Sequence, residues 1–113
     1  MISPADILKK HWGYGSFRPM QAEIIGSVLA GNDTLGLMAT GGGKSVTFQV
    51  PALMLDGLTL VVTPLISLMK DQVDNLRSHG IDAFFLHAAL TRREGKLILD
   101  KCRLGYARIL YLS

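Results

Sequence analysis

Thr34-Leu35-Gly36-Leu37-Met38-Ala39-Thr40-Gly41-Gly42-Gly43-Lys44-Ser45 sets an apolar run, a glycine run and a Lys-Ser pair in unbroken succession. Thr34 to Met38 reads as a short strand, and Lys44 towards Leu55 as a helix that Pro51 kinks or whose boundary it shifts. Between a strand and a helix, consecutive glycines let several backbone N–H groups converge on one point with no side chain in the way. The helix start adds positive potential at the same point. Phosphate oxygens need that arrangement. Lys44 supplies a mobile charge for β- and γ-phosphates, and the Ser45 hydroxyl suits Mg2+. The general phosphate-loop pattern G-x-x-x-x-G-K-[ST] has glycine where this chain has Met38, so the strict form fails at one position. The plainer alternative is an ordinary glycine-rich turn.

Working outward, the chain alternates. Leu58 to Val62 reads as a strand that is apolar on both faces, as a central parallel strand is. Pro64 ends it, Leu65 to Ser78 reads as a helix, and Gly80 stops that helix. Ile81 to Leu86, Thr91 to about Cys102, and Arg108 to Leu112 read as strand, helix and strand. Short strands separated by helices are βαβ units, which predicts an α/β fold with a mostly parallel sheet flanked by helices and about four strands. Upstream, Ser3-Pro4-Ala5-Asp6 is a helix start, with Ser3 as N-cap, Pro4 at the first position and Asp6 closing a capping box. His11 to Phe17 reads as a glycine-spaced aromatic loop. Pro19 opens a second helix carrying Ile24, Ile25, Val28 and Leu29 at helical spacing, with Gly31 as its left-handed stop. The final strand has nothing after it to cover it, which points to a piece of something longer or a truncated product.

Composition agrees with a folded domain. The chain has 113 residues, 49% apolar and 19% charged, which is a poor composition for disorder. One cysteine, Cys102, excludes an internal disulfide framework. No signal peptide or membrane span is legible, so the expected setting is cytoplasmic with no membrane partner. The net charge is +3, and residues 91–113 hold six bases against two acids. That surplus reads either as a solvated helix face or as a modest patch for phosphates. His79, His87 and Cys102 lack the companions of a metal site.

Tyr14-Gly15-Ser16-Phe17-Arg18-Pro19-Met20-Gln21 offers what base selection needs: an amide that can donate to and accept from an adenine edge, and planar groups that can stack. By spacing alone, Tyr14 and Phe17 read equally as core aromatics and Gln21 as a surface helix residue. In Val61-Val62-Thr63-Pro64-Leu65-Ile66-Ser67-Leu68-Met69-Lys70-Asp71-Gln72-Val73, the residues Leu65, Leu68, Met69 and Val73 form a core-facing stripe. Ser67, Lys70 and Gln72 pass as solvent-facing.

These two stretches, with Met38 to Ser45 between them, together resemble the first three signature blocks of RecQ-type DNA helicases of superfamily 2. Those enzymes unwind DNA 3′ to 5′ using ATP. The resemblance covers nearly the whole chain and implies a partial RecA-like motor domain at 34–113, preceded by a helical segment, 1–33, with the adenine-recognition motif. It implies ATP and Mg2+ as cofactors, and single-stranded or partly duplex DNA as a partner. Tyr14 and Arg18 would lie around the base and Gln21 on its edge. Thr40, Gly41, Gly42, Gly43, Lys44 and Ser45 would hold the phosphates, with Lys44 as the catalytic lysine and Ser45 on magnesium. Pro64, Ser67 and Lys70 would meet the DNA backbone. The family has proline where this chain has Ala39, a departure that removes no ligand. The acidic motif that places water lies beyond Ser113 in the family, so the isolated chain is expected to show no turnover, and the missing remainder of the helicase is a further expected partner. A non-catalytic nucleotide- or nucleic-acid-binding module and an inactive truncated gene product are the alternatives.

Overall fold

The computed structural model describes residues 2–38 and 43–113. It has two compact units, residues 1–56 and 57–113.

The first unit is helical among its described residues: α1 (Pro4–Trp12), α2 (Gln21–Leu29) and α3 (Val46–Met54). Helix α1 begins as the sequence predicts. The Ser3 hydroxyl accepts from the Asp6 N–H at 3.2 Å, and the Asp6 carboxylate accepts from the Ser3 N–H at 2.9 Å. Gly13, at φ 77°, closes the other end. Ile7, Ile25 and Val50, one from each helix, form the core of this unit, with Trp12, Phe17, Leu29 and Leu53 packed against it. Trp12 and Phe17 are therefore core aromatics. Pro51 lies inside α3 and is buried. The helix begins at Val46 rather than Lys44 and stops at Met54; Pro51 is kept inside it, where it has no N–H to bond the Thr47 carbonyl.

The expected strand at Thr34–Met38 does not form. No ladder includes this segment among the described residues, and Leu35 and Leu37 are 84% and 75% exposed. A strand exists through its neighbours' hydrogen bonds, and an apolar pattern alone does not supply them. The segment instead lies along α2: the Thr34 and Ser27 hydroxyls are 2.8 Å apart, and a Cβ on Gly36 would press on Ile24.

The second unit is a small α/β layer built from β1 (Thr59–Val62), α4 (Ile66–Ser78), β2 (Ala83–Leu86), α5 (Arg92–Arg103) and β3 (Ile109–Leu112). The strands are parallel in the order β1-β3-β2, with Val61 and Phe85 both level with Tyr111. Parallel crossovers are right-handed, so the step from β1 to β2 and the return from β2 to β3 place α4 and α5 on opposite faces. Met69, Val73 and Leu76 of α4 are fully buried, as are Ala83, Ile109 and Tyr111 of the sheet. Arg77 of α4 and Lys101 of α5 both approach the Phe84 ring, at 4.9 and 5.0 Å from its centre.

Two expectations about this sheet reverse. The strand read as central, β1, is an edge strand whose Leu60 and Val62 are 56% and 78% exposed. The strand read as uncovered, β3, is the central and most buried one. An apolar strand of four residues carries no mark of its rank in the sheet; crossover order sets it. The helical stripe is also shifted. Leu65 and Leu68 are exposed, and the buried face runs Met69, Val73, Leu76.

Candidate functional site

Two stretches of the first unit meet around Gln21. Met20 stands before α2 at φ 73°, the only non-glycine residue in the left-handed region among the described residues. That conformation costs about 1 kcal/mol for a residue with a Cβ. It turns the chain so that Gln21 enters the helix with its side chain inward, 4% exposed. The Gln21 amide oxygen accepts from the Arg18 N–H at 2.8 Å. The amide nitrogen donates to the Gly43 carbonyl at 3.0 Å, across 22 positions of sequence. A primary amide offers two donors and two lone pairs, so these bonds use half of each.

Gly43 has no room for anything but hydrogen. Its φ is 79°, and a Cβ there would collide with the Gln21 amide nitrogen. Lys44 follows with an exposed side chain. The Lys44 and Ser45 carbonyls already serve the first turn of α3, accepting from the N–H groups of Thr47 at 3.1 Å and Gln49 at 3.0 Å. No side chain caps that turn. Thr40, Gly41 and Gly42 lie outside the described residues, as does Ala39. Tyr14 is 58% exposed in the loop before α2, on the same stretch as Arg18. Arg18 Cδ comes within 3.8 Å of where a Gly43 Cβ would stand. Arg18, Gln21 and Gly43 are thus brought together, with Lys44 and Ser45 next in the chain.

The second unit positions Pro64, Ser67 and Lys70 at the carboxyl edge of its sheet. The Thr63 N–H donates to the Leu112 carbonyl at 2.9 Å, which carries the β1 ladder to the turn. Pro64 is exposed, and so are Ser67 and Lys70, which lie three apart on one helix face. The first intrahelical bond of α4 runs from the Met69 N–H to the Leu65 carbonyl, and no side chain caps the helix. The N–H groups of Ile66, Ser67 and Leu68 therefore have no intrahelical partner.

Gln72 is not a solvent-facing residue. Its amide oxygen accepts from the Tyr111 hydroxyl at 2.5 Å, pinning α4 to β3. The sequence held a signal for this pair: Tyr111 is the one polar side chain in an apolar strand, and a buried hydroxyl needs a partner. Gln72 stands three residues after Met69 and four before Leu76, on the buried face. Helix α5 is closed at its start by its own residues. Thr91 and Glu94 form a capping box, the Thr91 hydroxyl accepting from the Glu94 N–H at 3.1 Å and the Glu94 carboxylate accepting from the Thr91 N–H at 3.0 Å. Those Thr91 donors hold the Glu94 carboxyl below the usual carboxylate range, as Ser3 does for Asp6. His87 stacks on Phe85 and accepts from the Ala89 N–H, a structural arrangement. Burial pushes the Cys102 thiol up, away from reactivity.

No group of three or more histidine, cysteine, aspartate or glutamate side chains that could hold a metal ion occurs among the described residues. No helix among them is long and apolar enough to cross a membrane.

The family model for DEAD/DEAH box helicases matches residues 18–112. The chain is 50% identical over 107 residues to the ATP-dependent DNA helicase RecQ of Haemophilus influenzae, a match that covers 95% of this chain and 17% of that protein. It is 47% identical over 108 residues to the RecQ helicase of Synechocystis, covering 96% of this chain and 23% of the relative. It is 43% identical over 107 residues to the probable ATP-dependent DNA helicase RecS of Bacillus subtilis, covering 94% of this chain and 21% of the relative. The chain thus spans about a fifth of the length of these relatives.

Proposed function

Because the chain belongs to the DEAD/DEAH box helicase family and matches RecQ-type helicases over most of its length, we propose that it is the nucleotide-binding start of an ATP-dependent 3′ to 5′ DNA helicase motor. Its α/β unit is a partial RecA-like domain. Tyr14 and Arg18 flank an adenine ring, and the remaining donor and lone pair of the Gln21 amide read the base edge. Gly43 and Lys44, with Thr40 to Gly42 before them, hold the phosphates. Lys44 neutralises charge on the β- and γ-phosphates, and the Ser45 hydroxyl would hold the magnesium ion that accompanies the nucleotide. Magnesium, when bound with the nucleotide, spreads the charge that develops on the transferred phosphoryl group. Pro64, Ser67 and Lys70, with the uncapped N–H groups of Ile66 and Ser67, contact the phosphates of single-stranded DNA. Such contacts position the strand without reading sequence. Hydrolysis and unwinding belong to the longer protein.

The observation that carries this reading is the Gln21 to Gly43 hydrogen bond. It joins the stretch suited to a base to the stretch suited to phosphates, 22 residues apart. Titration of the chain with a fluorescent ATP analogue and Mg2+, beside Lys44→Ala, tests it. Saturable binding that weakens at least about tenfold in the variant is expected, the loss of one charge-assisted contact. Equal affinity in the two proteins would sink the phosphate assignment.

A further inference from the structure

Helix α5 carries its cations in two groups, and the fold treats them differently. Near its carboxyl end, the Lys101 ammonium lies 5.0 Å from the centre of the Phe84 ring, and Arg103 pairs with Asp100 at 3.5 Å. Cations there complement the negative end of the helix dipole. At the other end Arg92, Arg93 and Lys96 are exposed, and none of them makes a hydrogen bond, ion pair or ring contact among the described residues. Their placement works against the helix. Arg92 and Arg93 are the only basic residues in the first turn of any described helix, at the positive end of the dipole. Arg92 and Lys96 add like charges four residues apart on one face. A local rule broken twice with no gain inside the fold marks residues kept for a partner.

The sheet sets what these cations lie beside. Val62 of β1 and Leu86 of β2 are both level with Leu112 of β3, so the ends of the two outer strands are about 10 Å apart, two strand spacings. Helices α4 and α5 leave from those ends on opposite faces, at the carboxyl edge where open α/β sheets bind ligands. We infer that Arg92, Arg93 and Lys96 form a second contact for the nucleic-acid backbone, reached by a single strand that is held at Ser67 and Lys70 and runs on across the end of β3. The inference rests on the reading of Ser67 and Lys70 as DNA contacts and extends it along the same edge. The contact is made by side chains, since the Glu94 N–H is already given to the Thr91 hydroxyl. A guanidinium suits the task because its planar fork can meet two oxygens of one phosphate.

Anisotropy titration of the 113-residue chain with a labelled oligothymidylate of about 16 nucleotides, repeated over a series of salt concentrations, tests this. The double variant Arg92→Gln with Arg93→Gln is compared with Lys101→Gln with Arg103→Gln, which removes the same charge from the far end of the same helix. The first pair is expected to lose at least about tenfold in affinity at low salt, and its plot of log affinity against log salt to be shallower by about 1.4, which is about 0.7 for each lost contact on a single strand. The second pair is expected to lose less than about twofold, as screened charges distant from the strand do. The denaturation midpoint of the first pair is expected to hold or rise, because the conflict with the helix dipole is gone. Equal losses in the two pairs would reduce the effect to net charge and overturn the proposal. Affinity lost together with a lowered midpoint would make the arginines structural and overturn it too. An unchanged salt slope in the first pair does the same. Lys70→Gln reports on α4 separately: unchanged affinity there, or no binding by the unaltered chain, overturns the DNA reading of α4 and the continuous strand with it.

Discussion

Helices α4 and α5 both follow the carboxyl ends of parallel strands of one sheet, yet they begin differently. Helix α5 closes itself, with Thr91 and Glu94 each satisfying the other's N–H. Helix α4 is preceded by Leu65, extended at φ −98°, with no side-chain cap. The same split occurs in the first unit, where α1 is closed by Ser3 and Asp6 and α3 begins uncapped after Gly43 and Lys44. The closed helices have spent their orphan donors on their own residues. The open ones are α2, α3 and α4, whose starts and flanks carry Arg18, Gln21, Lys44, Ser45, Ser67 and Lys70. An uncapped helix must be held by something else, and in α4 that is packing: Met69, Val73 and Leu76 are buried to the last atom, and Gln72 is tied to Tyr111.

The comparison breaks most visibly if packing does not outweigh capping. Met69→Ala is expected to cost about 2–5 kcal/mol in denaturant unfolding, from lost burial and the cavity left behind. Thr91→Ala should cost about 1 kcal/mol. Near-equal losses would contradict the division. Tyr111→Phe falls between them, at about 1–3 kcal/mol, because it leaves the half-buried Gln72 oxygen without its donor. A smaller and sharper change is Leu65→Asp, which gives α4 the kind of cap that α5 has. The helix should gain about 0.5–1 kcal/mol while affinity for a labelled oligothymidylate falls, since the carboxylate takes the open N–H groups and repels phosphate. A rise in both would separate the helix start from DNA binding.

The smallest effect is set by pH. Asp6 and Glu94 are held below the usual carboxylate range, first by the backbone N–H groups of Ser3 and Thr91 and then by their hydroxyls. A carboxyl depressed in the folded state contributes stability above its unfolded value and loses it as pH falls through the folded one. Acidification through and below the ordinary carboxylate range should therefore fray α1 and α5. Helix α4 has no acidic residue in its first turn and should resist. Amide exchange resolved by helix checks this order.

Much of this was legible in the sequence because it is local. The Ser3-Pro4-Ala5-Asp6 start, the strands around Leu60, Phe85 and Leu110, and the glycine stop at 80 depend on neighbours within four residues. The reversals depend on partners far away. Leu60 and Leu110 look alike in sequence, and only the order of crossovers puts one at the edge and the other in the middle. The run Thr34 to Met38 has a strand's pattern without a ladder. Gln21 and Gly43, or Gln72 and Tyr111, are polar pairs brought together by folding, and a single sequence gives their chemistry without their pairing. Of the candidate site, Lys44 was legible as a residue type beside a glycine turn, Ser67 was a candidate only through the resemblance, and the bond joining Gln21 to Gly43 was not legible.

Titration of the amide spectrum of the chain with Mg2+ and ATP distinguishes the open helix starts from the closed ones. Resonances of Lys44, Ser45 and Val46, at the open start of α3, are expected to move saturably together with the Gln21 side-chain amide, while Ala5, Asp6, Arg93 and Glu94 at the closed starts stay in place. Equal movement at the closed starts, or none at Lys44 and Ser45, would contradict it.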